Sequence, residues 1–145
     1  MAEYLDYICP MIYPSHYGPG NFGIEYPDTQ PYDTILNALN GSRELLAASA
    51  KDDTPQAVVR PWLQDFTASY LEHYIRYGDE QVRQQIQAVY DAGYDQWILW
   101  DAGVSYHYGG LLTPEEAAKE DERIARSRAA AETEGGTADN TPAEN

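Results

Sequence analysis

The sequence predicts a parallel α/β fold made of successive strand and helix units, and three observations predict it. Short apolar runs stand at residues 7–13, 58–63 and 97–101, each of a length suited to a buried strand. Helical periodicity separates them, over residues 31–50 and again over 79–91. Strand, helix and strand in alternation bring all the strand ends to one side through right-handed crossovers.

Residues 7–13 read Tyr-Ile-Cys-Pro-Met-Ile-Tyr, a continuous apolar run fit for a strand covered on both faces. Cys9 lies inside it, where a buried, inert thiol is the expected state. Pro10 breaks the local rule, since proline gives a ladder no donor. Residues 58–63 repeat the design with Pro61, and superposing Pro10-Met11-Ile12-Tyr13 on Pro61-Trp62-Leu63-Gln64 sets Tyr13 and Gln64 at matching positions. Two readings fit the prolines: irregular strand ends beside a site, or edge strands.

Between these runs, residues 15–31 form a loop rich in Gly, Pro, Asn and Tyr, too long for a plain connector and shaped by Pro14, Gly18, Pro19, Gly20 and Gly23. The helix behind it opens on Pro31 and carries Ile35, Leu36, Leu39, Leu45 and Leu46 on its apolar face, with Asn40-Gly41-Ser42 as a place where it can split. A polar turn at 51–56 leads to the second strand, and an aromatic loop with Tyr70, Tyr74 and Tyr77 follows it. Asp79 is expected to cap the next helix, Val82, Ile86, Val89 and Tyr90 to form its buried face, and Gly93 to stop it. Beyond Thr113 the composition turns acidic, predicting a solvated helix and then disorder from about Ala129. The domain reading is thus 1–112 for the ordered α/β part and 113–145 for an acidic, largely disordered tail.

A complete eight-fold barrel takes roughly 200 to 250 residues, whereas this chain has 145. The expectation is therefore about two and a half units of a (β/α) barrel, a fragment that exposes strand edges and is either marginally stable or self-associates through them. The formal charge of -15 and a pI near 4.3 exclude nucleic acid and anionic membrane surfaces as partners, because both are bound through Lys and Arg. One cysteine excludes a disulfide within the chain and a Cys-based zinc site. No apolar stretch approaches the roughly 18 residues that span a bilayer, and the first residues are not a signal peptide. Nothing in the sequence calls for a metal or another cofactor.

Tyr, His, Trp, Gln and Asp collect at the ends of the three runs, the residue types that decorate a carbohydrate site. Aromatic faces cover the apolar faces of sugars, amides and imidazoles bond hydroxyls, and carboxylates handle protons and cationic transition states. Asp65, just after the second run and beside Trp62 and Gln64, is the leading catalytic candidate, as general acid, base or nucleophile. Its other reading is a structural carboxylate that bonds loop amides or a neighbouring Arg. His16 fits either a hydrogen bond to substrate or a loop contact, and no second His or carboxylate stands at metal-binding spacing from it. Ser15-His16 is not a nucleophilic triad, for no nucleophile elbow is present. Tyr13, Trp62 and Trp100 fit a sugar platform or the core. Asp101 either shares the site with Asp65 or caps the loop after it. The segment from Gly18 to Gly23 lacks the Lys-Ser/Thr of a phosphate loop.

The strings DYICPMIYPSHYGPGNFGIEYPD, VVRPWLQDFTASYL and VRQQIQAVYDAGYDQWILWDAG resemble the C-terminal portion of the bacterial glycoside hydrolase-like family called DUF4015, over about residues 4–103. The resemblance implies a partial (β/α)8 TIM barrel, its last three strands with their helices. It implies that Tyr13, Ser15, His16, Tyr17, Trp62, Gln64, Asp65 and Trp100 fall on the family's motif positions. It further implies hydrolysis of glycosidic bonds in a polysaccharide, outside the cell or at its envelope, with this segment alone inactive because part of the site is elsewhere. The competing expectation is a carbohydrate-binding or scaffold barrel without catalysis. A polysaccharide deacetylase-like metal enzyme would need a His/Asp cluster that the sequence does not show.

Overall fold

The computed structural model describes residues 4–50 and 56–135. Strands β1 (Tyr7–Ile8) and β2 (Val58–Val59) pair in parallel, as do β3 (Trp62–Gln64) and β4 (Ile98–Trp100), where Gln64 stands opposite Trp100. Backbone bonds join the two ladders. Arg60 N donates to Ile8 O at 2.9 Å, Trp62 N to Pro10 O at 2.8 Å, and Ile12 N to Trp62 O at 3.3 Å, while Met11 bridges Trp62. Three parallel segments thus lie side by side in chain order, as the alternation of runs predicted. The described residues form no closed barrel.

Pro10 and Pro61 mark where the ladder is interrupted, and each contributes only its carbonyl: Pro10 O to Trp62 and Pro61 O to Ile98 N at 2.9 Å. Pro61 therefore sits in the middle segment, bonded on both sides, and the edge-strand reading fails for it.

Helix α1 (Pro31–Ser49) runs unbroken through Asn40-Gly41-Ser42, so the expected split does not occur. The Ser42 hydroxyl donates to Ala38 O at 2.9 Å, and Thr34 ties the first turn down by donating to Gln30 O and Pro27 O. Ile35, Ala38 and Leu39 are buried, whereas Leu45, expected on the same face, is 74% exposed. Helix α2 (Asp79–Asp91) buries Val82, Ile86, Val89 and Tyr90 as its periodicity required. Its cap is Gly78 rather than Asp79: Gly78 N donates to Gln81 Oε1 at 3.1 Å, and Asp79 is the first helical residue. Gly93, at φ +84, follows the last turn as expected.

Ile12, Val59 and Leu63 meet Ile35, Leu39, Val82, Ile86 and Val89 in one core between the strands and the two helices. The opposite face of the strands is open. Tyr7, Cys9 and Met11 are exposed while Ile12 is buried, so burial alternates along a run that reads as continuously apolar. The expectation of a buried Cys9 is corrected accordingly: no described element covers the face it lies on.

Helix α3 (Pro114–Gly135) starts at a capping box in which Thr113 N donates to Glu116 Oε2 and Glu116 N to Thr113 Oγ1. Those bonds, and after them Arg83, hold the Glu116 carboxyl below its ordinary range. Ile124 enters the core, and Arg123 and Arg128 reach Asp91 and Asp95. The acidic segment is thus helical through residues 129–135, and the expectation of disorder that extends over 136–145 lies outside the described residues.

Candidate active site at the strand ends

The three parallel segments end in Tyr13, Gln64-Asp65 and Trp100-Asp101, and their open face continues into a groove of about 450 Å³ lined by Met11, Tyr13, His16, Trp62, Phe66 and Trp100. Trp62 pairs with Ile98, two positions before Trp100 on β4, so the two indoles lie on one face, and their rings meet edge to face at 5.9 Å. Tyr13 holds the groove's far wall, its ring edge-on to His16 at 4.9 Å and to Phe66 at 5.7 Å. Burial, and next the nearby Tyr106 phenol, push the Tyr13 hydroxyl above its usual range. Tyr13, His16, Trp62 and Trp100, singled out from sequence, are brought together here.

The other sequence candidates are not among the residues that line the groove. Gln64 is wholly buried and knits the loops beneath it. Its Oε1 accepts from Ser15 N at 3.1 Å, and its Nε2 donates to Asp28 Oδ1 at 3.0 Å and to Phe66 O. Its backbone is bracketed by Gln85 from α2, which accepts from Gln64 N and donates to Gln64 O. Both ends of the Gln64 amide are thus bonded within the protein. Ser15 is buried with its hydroxyl unpartnered among the described residues. Tyr17 lines a separate, smaller cleft of about 140 Å³ with Tyr26, Asp28 and His73.

Asp28, which the sequence reading passed over, is buried between these loops and accepts from Gln64 and, at 3.3 Å, from Ile75 N. Burial raises its carboxyl above the ordinary range, and the bonds from Gln64, Ile75 and Tyr77 only partly offset this. Tyr77 donates to Asp28 O at 3.1 Å, and burial first, then the Asp28 charge, drives its phenol far upward.

Asp65 sits at the C-terminal end of β3 with its backbone N–H on Trp100 O at 2.9 Å and its side chain fully buried. Both carboxylate oxygens are engaged by one residue: Oδ2 accepts from His107 N at 2.9 Å, and Oδ1 lies 2.6 Å from His107 Nδ1. Asp101 organises the same loop, its Oδ2 accepting from Ser105 N at 2.8 Å, which is the loop-capping role of the two considered. Sequence reasoning missed His107. The available signal was Tyr106-His107-Tyr108 after the third strand, which echoes Ser15-His16-Tyr17 after the first. Among the described residues, no group of three or more His, Cys, Asp or Glu is placed to hold a metal.

Parallel strands with an aromatic groove and a buried carboxylate at their C-terminal ends make this a mixed α/β domain with its candidate site at that end. The model of the DUF4015 family, described as a putative glycosyl hydrolase domain, matches residues 1–106, and the chain belongs to that family. No match was found among curated proteins or among solved structures. No helix among the described residues is long and apolar enough to cross a membrane.

Proposed function

We propose that this chain carries part of a glycosidase site, formed on the last three strands of a (β/α)8 barrel, that hydrolyses glycosidic bonds in a polysaccharide. The observation that carries the reading is the groove itself: Trp62, Trp100 and Tyr13 present aromatic surface at the strand ends, with His16 at the rim. A pyranose ring laid on the indoles covers its apolar face while its hydroxyls reach His16 and the loop polar groups. Asp65 is the carboxylate of this site, and membership of a glycosyl hydrolase-type family supports the chemistry.

A second reading, a carbohydrate-binding barrel without catalysis, draws on the burial of Asp65, because a carboxylate sealed from solvent cannot itself touch a sugar. Release of reducing ends from a panel of polysaccharides by a full-length family member separates the two. Hydrolysis abolished by the change equivalent to Asp65→Asn, with sugar binding kept, supports the glycosidase. Binding with no hydrolysis by the unaltered protein supports the second reading.

A further inference from the structure

Asp65 and His107 are 42 positions apart in sequence, yet His107 supplies both donors that the buried carboxylate receives. That double attachment fixes the loop and the ring together. The loop is built to deliver it: Gly110 packs on the first turn of α2, where a methyl group would lie 2.6 Å from Asp79 O and 2.7 Å from Val82 Cβ, and Gly110 N donates to His107 O at 3.0 Å. Val104 holds a left-handed φ of 54° in the same loop, stabilised by its N–H on Asp101 O.

A carboxylate can only accept, so the hydrogen between Asp65 Oδ1 and the ring resides on Nδ1, and in the neutral ring Nε2 then carries the lone pair. Among the described residues nothing bonds Nε2, and the His107 side chain is 41% exposed. An imidazole held in one tautomer by a buried carboxylate, with its other nitrogen free, is the arrangement that takes a proton from a hydroxyl. Asp65, to which His107 is bonded, donates its N–H to Trp100 O at 2.9 Å and directly precedes Phe66, both lining residues of the groove, which places this loop beside it. Residues 1–106 carry the family match, so His107 falls just outside it.

We propose that His107 is the proton-transfer group of the carbohydrate site and that Asp65 is its positioning residue. This rests on the carbohydrate reading above. In the step, the O–H bond of a sugar hydroxyl or of water breaks with its electron pair left on oxygen, and an N–H bond forms at Nε2. The imidazolium so made stands against the Asp65 carboxylate.

Long-range proton–nitrogen NMR of the full chain, alone and with cellohexaose, xylohexaose or chitohexaose, tests this, with His107→Gln assigning the signal against His16 and His73. Without sugar, His107 is expected as the Nδ1–H tautomer in the wild type, converting in Asp65→Asn. An Nε2–H tautomer in the wild type overturns the inference and needs no variant to fold. With sugar, a tryptophan fluorescence change accompanied by a shift at His107 Nε2 supports it. A fluorescence change with Nε2 unmoved overturns it and leaves the groove reading intact. No fluorescence response to any of the three sugars overturns the carbohydrate reading and, with it, His107's contact with substrate.

Discussion

Replacing Gly110 by Ala asks directly whether the 101–110 loop is seated on α2 as described. The added methyl would stand 2.6 Å from Asp79 O, 2.7 Å from Val82 Cβ and 2.8 Å from Val82 Cγ1, where ordinary contact begins at 3.4 Å. Two of these three atoms belong to a buried side chain and the third to helix backbone, so neither side can rotate away. Overpacking of this kind costs about 1–3 kcal/mol. Relief by lifting the loop would pull His107 from Asp65 and leave a buried carboxylate without donors, a loss of about the same size or larger. Gly41→Ala is the matched control, because a methyl there meets nothing within 4 Å in mid-helix. Its expected effect is opposite in sign, a gain of about 0.5–1 kcal/mol. Urea unfolding followed by circular dichroism measures both. A Gly110→Ala midpoint equal to that of the wild type would refute the packing of this loop and the seat it provides for His107.

Leu63→Ala removes a side chain with no exposed surface from the core between strands and helices, and should cost about 2–5 kcal/mol in the same unfolding measurement. Asp28 should make stability pH-dependent in a defined direction. Its folded carboxyl is raised, so its contribution is fully present below the ordinary Asp range, near pH 4, and is lost as pH rises through the folded value. The difference in stability between wild type and Asp28→Asn should therefore shift against the wild type over that interval, and a difference constant with pH would contradict the burial account. Trp62→Ala should weaken oligosaccharide binding by about 5- to 30-fold, corresponding to about 1–2 kcal/mol of lost stacking area, as read by calorimetry.

The order and direction of the strands were legible because each apolar run is short, bounded by loop residues and separated by a periodic helix. The buried faces of both main helices were largely legible for the same reason, Leu45 excepted. The alternation of burial at Tyr7, Cys9 and Met11 was not, since apolar residues on both faces read alike whether or not something covers the second face. The groove was legible as strand-end aromatics, but the partners of its polar residues were not. Gln64 finds Asp28 across 36 positions and Asp65 finds His107 across 42. Those pairings depend on how two long loops settle, which no local pattern encodes. The sequence reading also passed over Gly109-Gly110, whose meaning emerges only from the seat on α2.

Tryptophan fluorescence of the full chain, titrated with oligosaccharides derived from several polysaccharides, tests the central claim most directly. Two of the three tryptophans, Trp62 and Trp100, line the groove, while Trp97 packs against the core. The account predicts a saturable change with at least one sugar, abolished or strongly weakened in Trp62→Ala. Indifference to every sugar, or a response unaltered by Trp62→Ala, would contradict it.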